Sequence, residues 1–279
     1  MTLLQARYDL HCHTIYSDGT STPDELFTLA LEKELKGLSI TDHDTVAAYK
    51  EALPRAKERG LMLLPGIECS AIHRGEPIHV LGYAFVLDSP VIASFSKMHR
   101  VRREERNRKI LSKLRKLGIA ITEEELRGVG SGTLGRPHIA LLLMQKGVVD
   151  SIKEAFGKYL GEGKAAYDPG EHITVEETID TIKKAGGKAI LAHPQLIGKG
   201  RIERDMLTMP FDGLEGYYAR LFPDQEEKWI KSAEKLGWIV TGGSDYHGTV
   251  KPQNPLGSSW TCQETFDLLY THYLSHQKQ

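Results

Sequence analysis

Two histidines alternate along a short apolar run near the start of the chain, which reads Tyr-Asp-Leu-His-Cys-His from residue 8. If this run is a β-strand, side chains two positions apart share a face, so His11 and His13 lie about 6.6 Å apart along one side. One metal ion can accept both imidazoles. Taken alone, the pattern equally fits the half-exposed end of an ordinary strand.

Further acids and imidazoles lie at or near the ends of other predicted strands. Asp18 lies in a glycine-containing turn, where it is either a ligand or only a turn residue. In a barrel of parallel strands the carboxyl ends meet at one mouth, where catalytic groups gather. His79 departs from this pattern because it lies near the start of its strand. The nine candidate metal ligands are His11, His13, Asp18, His43, Glu68, His79, His193, Asp245 and His247.

So many converging acids and imidazoles indicate bound cations. Buried carboxylates without compensating charge are costly, and a metal ion supplies that charge. A set of imidazoles and carboxylates without a thiolate suits Mn, Fe or Zn better than the all-oxygen sites preferred by Mg²⁺.

The elements that must hold these groups alternate between strands and helices. Capping boxes that begin at Thr22 and Thr174 predict helices to about residues 35 and 185. A repeated β-then-α order predicts a parallel sheet with helices outside, and seven strands favour a barrel over an open sheet. The predicted strands are 8–11, 37–41, 62–65, 78–85, 188–192, 213–217 and 238–241.

The alternation stops between about residues 88 and 167, where the pattern is helical. Residues 97–116 contain ten Lys and Arg against two Glu, and Ile110, Leu114 and Leu117 form a helical apolar stripe. We therefore predict a barrel domain made of 1–88 and 168–279 and a small helical insertion domain at 89–167. The basic helix is either a solvated face or a surface that follows an RNA backbone, which would make activity sensitive to salt.

Composition narrows the class of protein. The chain has 279 residues and a net charge of −1, so its overall charge does not require a nucleic-acid or membrane partner. No apolar run approaches the roughly 18 residues that span a bilayer, and the first residues lack the layout of a signal peptide. Three cysteines are too few for a disulfide framework. These features predict a cytoplasmic protein without a membrane or an evident obligate protein partner.

Together, the chemical motifs resemble those of the polymerase and histidinol phosphatase (PHP) superfamily of metal-dependent phosphoesterases. The helical insertion before Arg136 resembles the branch that acts on nucleoside 3′,5′-bisphosphates and, as 5′-to-3′ exoribonucleases, on the 5′ ends of short RNA. The motifs cover nearly the whole chain and read Asp-Leu-His-Cys-His, Ser-Asp-Gly, Thr-Asp-His-Asp-Thr, Pro-Gly-Ile-Glu, Ile-His-Val-Leu-Gly, Arg-Pro-His, Leu-Ala-His-Pro and Gly-Gly-Ser-Asp-Tyr-His-Gly.

The resemblance implies an α/β fold, a distorted (β/α)7 barrel, with up to three divalent ions, for which Mn²⁺ is favoured and Fe or Zn are alternatives. A hydroxide bound to these ions would attack the phosphorus of a nucleotide phosphate ester. By motif, the first ion takes His11, His13, Glu68 and Asp245. The second shares Glu68 and adds His79 and His193. The third takes Asp18, His43 and His247.

Other candidates surround this set. Asp42 either orients a ligand imidazole or caps a helix, and His193 or a metal-bound water protonates the leaving group. Arg136 and His138 precede an apolar helix at about 139–146, so they either bind a substrate phosphate at its N-terminus or belong to an ordinary proline-started helix. Arg220 either binds substrate or lies in a solvated loop.

Three other functions stay open at this point. The first is a small-molecule phosphatase of the histidinol-phosphate type, and the second is a non-catalytic module that keeps a metal site for stability. The third is a metal-dependent hydrolase of carbon–nitrogen bonds. The run Gly-Leu-Glu-Gly-Tyr-Tyr at 213–218 departs from the family pattern, which leaves substrate contacts from that strand open.

Overall fold

The computed structural model describes residues 6–130, 132–171 and 173–277 of a mixed α/β fold. Its strands form a three-stranded sheet of order β1-β2-β3 and a five-stranded sheet of order β4-β5-β6-β7-β8. The strands are β1 (Tyr8–Cys12), β2 (Gly37–Ile40), β3 (Met62–Leu63), β4 (Gly66–His73), β5 (Glu76–Tyr83), β6 (Lys188–Leu191), β7 (Gly213–Tyr218) and β8 (Ile239–Gly243).

The strand directions correct the expectation of an all-parallel sheet. β1, β2 and β3 run parallel, and so do β6, β7 and β8, but β5 is antiparallel to both β4 and β6. β4 was not predicted as a strand. It forms a hairpin with β5 through Arg74 and Gly75, which both have positive φ. Glu68 therefore lies within a strand rather than after one.

The antiparallel direction of β5 explains the unusual position of His79. Because β5 runs against β6, the early part of β5 lies beside the carboxyl end of β6. Val80 pairs with Leu191, and the backbone N–H of Ala192 donates to the carbonyl of His79 over 3.2 Å. His79 thus reaches the same end of the sheet as the groups that follow the parallel strands.

The two sheets meet through isolated bridges and do not form one continuous ladder, so the expected closed seven-stranded barrel is not confirmed. Cys12 bridges to Tyr246 beyond β8, and His43 bridges to Glu68 in β4. At the first of these junctions the backbones approach so closely that a Cβ on Gly243 would lie 2.4 Å from the Cβ of His11. Glycine is therefore required where β8 passes the first candidate ligand.

The helices pack outside the sheets and between them. α1 and α7 begin with the predicted capping boxes, in which Thr22 pairs with Glu25 and Thr174 with Glu177. None of the described helices combines the length and apolar character that crossing a membrane requires. The α-helices are α1 (Pro23–Glu32), α2 (Tyr49–Glu58), α3 (Pro90–Lys116), α4 (Glu123–Gly128), α5 (Arg136–Gln145), α6 (Ile152–Ala155), α7 (Val175–Lys184), α8 (Gly200–Met206), α9 (Pro223–Leu236) and α10 (Gln263–His276).

Helices α3 to α6 follow one another without an intervening strand. Ile110 and Leu114 of α3 pack with Leu126 of α4 and with Ile139 and Leu143 of α5 in a hydrophobic cluster of their own. The start of α3 belongs to a different cluster, in which Ile92 and Phe95 pack against residues of the five-stranded sheet. α3 therefore joins the helical region to the sheet that carries Glu68.

Several strands end in strained backbone. The non-glycine residues Asp44, His193 and Asp245 have positive φ values of 59°, 26° and 54°, just after β2, β6 and β8. Such conformations cost roughly 1–3 kcal/mol each and persist where surrounding structure enforces them, typically at functional sites. The turns at these positions contain three of the candidate ligands, His43, His193 and Asp245.

Candidate metal centre

The carboxylate of Glu68 lies at the centre of the predicted ligands. It is fully buried on β4, and its two oxygens face different imidazoles. Oε2 is 3.4 Å from His11 Nε2, 3.1 Å from His13 Nε2 and 3.1 Å from His43 Nδ1.

The other oxygen of Glu68 faces the imidazoles of β5 and of the turn after β6. Oε1 is 2.8 Å from His79 Nδ1 and 3.0 Å from His193 Nε2. These two nitrogens are themselves 3.3 Å apart. Glu68 therefore has the position of a group that bridges two ions.

Asp245 presents one oxygen to the same centre and fixes the other. Its Oδ1 is 3.4 Å from His11 Nε2 and 3.3 Å from His13 Nε2. Its Oδ2 accepts hydrogen bonds from Tyr218 Oη and from Lys251 Nζ, each over 2.7 Å. Because both donors hold Oδ2, Oδ1 points at the histidines in a defined orientation.

Asp18 gathers a third set of imidazoles on the opposite side of His13. Its Oδ1 is 3.3 Å from His247 Nε2 and 3.7 Å from His13 Nδ1, and its Oδ2 is 3.7 Å from His43 Nε2. The Nδ1 of His247 donates to the backbone carbonyl of Asp245 over 2.9 Å, which leaves a lone pair on Nε2 when the ring is neutral.

The structure brings the nine predicted ligands together, but it groups them slightly differently from the family-based partition. Three overlapping groups each place their donor atoms within 4.8 Å of one another. His13 joins the third group, and His43 joins Glu68 and His79 in the second, where His193 lies alongside. The groups are His11, His13, Glu68 and Asp245; His43, Glu68 and His79; and His13, Asp18, His43 and His247.

Burial and charge act against each other at these residues. Burial alone would raise the pKa of Glu68, but the imidazoles of His79, His43 and His11 hold it well below its usual value. Burial would lower the pKa of His13, but Asp245 and Glu68 raise it to about 9. Burial lowers the pKa of His43 to about 3, so this ring is neutral and able to act as a ligand at neutral pH.

Several buried polar atoms at the centre have no hydrogen-bond partner among the described residues, which is what a site for a metal ion would show. Within the described part of the chain, His11 Nε2, His13 Nε2, His43 Nδ1 and Glu68 Oε2 are buried and have no hydrogen-bond partner. Buried polar atoms without partners are costly, and here all of them face one small region. A divalent cation satisfies all four, and imidazole with carboxylate is the donor set that Mn, Fe and Zn accept.

Glu215 is a candidate site residue that the sequence analysis did not identify. It lies fully buried on β7, where its Oε1 accepts from His11 Nδ1 over 2.9 Å and its Oε2 accepts from the backbone N–H of His193 over 2.8 Å. Because a carboxylate only accepts, Nδ1 of His11 donates to Glu215, and Nε2 faces Glu68, where it can bind a metal ion once it carries no proton. The signal in the sequence was an acidic residue within an apolar predicted strand, but the sequence analysis treated this run only as a departure from the family pattern.

We expect Glu215→Gln to weaken metal binding. The amide keeps the shape of the side chain but loses the charge that orients and polarises His11, a change that typically costs 10- to 100-fold in metal affinity. Titration of the metal-free protein with Mn²⁺ measures the effect. Glu234→Gln, an exposed position on α9, is the matched control. Equal affinities for the two variants would exclude this role for Glu215.

Asp42 is buried beside the centre, but its hydrogen bonds differ from both predicted roles. Its carboxylate accepts from the backbone N–H of Thr14 over 2.7 Å, from Thr14 Oγ1 over 2.6 Å and from Ser17 Oγ over 2.7 Å. Ser17 Oγ in turn lies 3.4 Å from His13 Nδ1, so Asp42 reaches the imidazole only through Ser17. It does not cap α2, whose N-cap is Ala48. Asp42 thus holds the segment between His13 and Asp18.

The predicted substrate residues lie at two separate places. Arg136 is the first residue of α5, with its guanidinium 5.8 Å from the ring centroid of Phe156 and 5.6 Å from that of Tyr167. His138 is buried, and its Nδ1 accepts from the backbone N–H of Gly135 over 3.2 Å. Arg220 is exposed beyond the end of β7 and has a positive φ of 67°.

Two arginines of α3 lie beside the start of α5, because a Cβ on Gly135 would be 3.0 Å from Arg103 Nη1 and 3.7 Å from Arg106 Nη2. We call Arg103, Arg106 and the adjoining Arg136 the guanidinium cluster. Burial, and then the charges of Arg103 and Arg136, lower the pKa of Arg106 to about 9. Arg103 binds Asp44 and donates to Ser70 Oγ over 2.9 Å. Among the described residues, no carboxylate lies within ion-pair distance of Arg106 or Arg136. The cluster therefore holds an excess of positive charge beside His43, the residue before Asp44.

Comparisons with known proteins agree with these features. The model of the family described as the PHP domain matches residues 9–167. A 5′-3′ exoribonuclease of Haemophilus influenzae is 35% identical over 249 residues, 86% of this chain and 90% of the relative. A 3′,5′-nucleoside bisphosphate phosphatase of Chromobacterium violaceum is 31% identical over 87% of each chain. The crystal structure of a protein of Bifidobacterium adolescentis, described as a metal-dependent phosphoesterase, superposes with a TM-score of 0.87 and 32% identity over 96% of each chain.

Proposed function

Because the chain belongs to the PHP domain family, we propose that it hydrolyses phosphate esters of nucleotides. Its substrates are nucleoside 3′,5′-bisphosphates, which lose the 3′-phosphoryl group, and short 5′-phosphorylated RNA, which loses its first nucleotide. One observation carries the proposal. A cluster of buried imidazoles and carboxylates with unpaired atoms lies near three guanidinium groups, of which only Arg103 has a carboxylate partner within the described part of the chain.

Three divalent ions, with Mn²⁺ favoured over Fe or Zn, fit the three overlapping groups of ligands. When bound, such ions neutralise phosphate charge and lower the pKa of water. Glu68, whose two oxygens face different imidazoles, would hold two of these ions, and Glu215 would orient His11 toward them. The Nε2 of His193 faces Glu68 and His79, which favours a ligand role for His193 over that of a proton donor.

The guanidinium cluster is suited to the second phosphate of these substrates. Arginine forms charge-assisted, often bidentate hydrogen bonds with phosphate oxygens. A phosphate between Arg106 and Arg136 would also relieve the repulsion between two guanidinium groups that, among residues 6–130, 132–171 and 173–277, have no carboxylate within ion-pair distance. His138 adjoins this region and shares a small cavity with Asp18, so the cluster and the metal centre are neighbours.

We also propose that the chain has two domains. Residues 1–88 and 168–279 form the catalytic domain, in which the two sheets together act as a distorted barrel, and residues 89–167 form a helical insertion domain. The separate hydrophobic cluster of α3 to α6 supports this division. A cytoplasmic location is supported by the three cysteines, which are free thiols.

A substrate screen with Mn²⁺ tests the proposed function. We expect turnover of nucleoside 3′,5′-bisphosphates and 5′-phosphorylated dinucleotides, weaker turnover of histidinol phosphate, and none of amides. Turnover of histidinol phosphate alone would favour the small-molecule phosphatase, and turnover of amides alone would favour a carbon–nitrogen hydrolase. Metal binding without turnover of any substrate would leave the non-catalytic module. His11→Ala is expected to abolish phosphate release and reduce metal content.

We expect Arg136→Gln to act on the second phosphate. It should lower kcat/KM for a 3′,5′-bisphosphate by roughly 10- to 100-fold, the cost of losing charged hydrogen bonds of about 1.5–3 kcal/mol. A nucleoside 3′-monophosphate, which lacks the 5′-phosphate, should be affected much less. Arg108→Gln, at an exposed position on α3, is the matched control. An equal loss on both substrates would argue against phosphate binding by Arg136.

A further inference from the structure

A second cavity of about 550 Å³ lies beyond the carboxyl end of β7, away from the guanidinium cluster. We call it the aromatic pocket. Its walls come from the end of β7, from the loop and helix that follow, and from the segment 258–262. The residues that matter for its chemistry are Tyr217, Tyr218, Arg220, Glu226, Ser259 and Trp260.

The pocket exposes aromatic surface that the fold does not cover. The side chains of Tyr217 and Trp260 are 38% and 41% exposed. The guanidinium of Arg7 lies 5.3 Å from the centroid of the Trp260 ring and holds it in place. Arg220, Glu226 and Ser259 add a cation, an acceptor and a hydroxyl around these rings. Exposed rings with polar groups at their edges are the usual means of holding an unstacked nucleobase.

Tyr218 links the aromatic pocket to the metal centre. Tyr218 is one of the residues that line the pocket, and its hydroxyl donates to Asp245 Oδ2 over 2.7 Å. The ring also lies 5.8 Å from that of His193, centroid to centroid. One side chain therefore separates the pocket from two candidate ligands, so a ligand in the pocket is a near neighbour of the reacting phosphorus.

The pocket and the guanidinium cluster approach the metal centre from different strands. The cluster approaches at His43 and Asp44, after β2, whereas the pocket approaches at the end of β7. When RNA is cleaved after its first nucleotide, the 5′-phosphate lies on one side of the scissile phosphorus and the second nucleotide lies on the other. If the 5′-phosphate lies in the cluster, the second nucleotide leaves toward β7.

We propose that the aromatic pocket binds the base of the second nucleotide of an RNA substrate by stacking on Trp260 and Tyr217. This inference rests on the proposed function, and it adds a distinction between the two substrate classes. A nucleoside 3′,5′-bisphosphate has no second nucleotide and leaves the pocket empty. Since stacking accepts any base, the pocket contributes affinity for RNA without reading its sequence.

The test compares kcat/KM for a 5′-phosphorylated RNA dinucleotide and for a nucleoside 3′,5′-bisphosphate. In Trp260→Ala, the ratio of the two values is expected to fall by roughly 5- to 100-fold, the range for losing one base-stacking contact. Tyr217→Ala should lower the same ratio, whereas Trp260→Phe, which keeps a ring, should largely preserve it. A dinucleotide with an abasic second position should be insensitive to Trp260→Ala.

Leu268→Ala, an exposed position on α10, is the matched control for removing surface apolar area. An unchanged ratio in both alanine variants, or a parallel loss on both substrates, would overturn the role of the pocket and leave the proposed function intact. Wild-type protein that hydrolyses neither substrate would overturn the proposed function, and this inference with it. The two failures are therefore distinguishable.

Discussion

Glu68→Gln is expected to lower kcat for a nucleoside 3′,5′-bisphosphate by about 1,000-fold or more, equivalent to about 4 kcal/mol of activation free energy. The two oxygens of Glu68 face five imidazoles at 2.8–3.4 Å. The amide of glutamine has the size of the Glu68 carboxylate but no charge. It also replaces one acceptor oxygen with an NH₂ donor that faces imidazole nitrogens. Metal content and kcat should therefore fall together.

Two further variants separate a chemical effect from a folding defect. Glu68→Asp keeps the charge but shortens the side chain, so we expect an activity between those of wild type and Glu68→Gln. Glu227→Gln, at an exposed position on α9, should behave as wild type. Thermal unfolding of each variant in excess chelator checks the fold. Full activity of a well-folded Glu68→Gln protein would be incompatible with a bridging carboxylate.

Removal of the metal ions is expected to lower the melting temperature at pH 8 by about 5–10 °C for each site that is occupied. Ions that bind only the folded chain, at about 100 times their dissociation constant, contribute about 2.7 kcal/mol for each site, and 1 kcal/mol corresponds to about 2–4 °C for chains of 150–250 residues. Differential scanning calorimetry with Mn²⁺ and with chelator measures the difference. Identical curves would mean that no ion binds the folded protein.

The size of this difference should depend on pH, with a sign set by His13. In the metal-free protein, burial alone would lower the pKa of His13, but Asp245 and Glu68 raise it to about 9. A raised pKa stabilises the metal-free fold fully below the unfolded value of about 6.5, and this stabilisation is lost as the pH rises toward 9. Metal binding requires the neutral ring and so strengthens over the same range. The melting-temperature difference should therefore be small near pH 6 and large near pH 9.

The convergence of the candidate ligands was predictable because their sequence signals are local. His11 and His13 share a strand face, and Asp245 and His247 have the same spacing after another strand, so two short patterns already place four donors at strand ends. Convergence of these ends follows from the general rule for parallel strands. The capping boxes at Thr22 and Thr174 similarly define helix starts from residues that interact only three positions apart.

The parts that sequence did not predict depend on contacts between distant segments. Glu215 meets His11 across 204 positions of the chain, and nothing beside it in sequence marks it as a hydrogen-bond partner of an imidazole. The direction of β5 depends on the hairpin turn after His73, which joins β4 to β5. β4 was not predicted as a strand because the acidic Glu68 interrupts its apolar residues. Arg106 looks like one more solvated cation of α3 until folding packs it beside Arg103 and Arg136.

The most direct test is anomalous diffraction at the manganese edge from crystals soaked in Mn²⁺. We expect peaks within about 2.0–2.3 Å of imidazole nitrogens and carboxylate oxygens of the three groups around Glu68, His13 and His43. At least one peak should lie between His11, His13 and Asp245. The proposed metal centre would be contradicted by well-ordered side chains in these positions without any anomalous peak among them, in a protein that still releases phosphate.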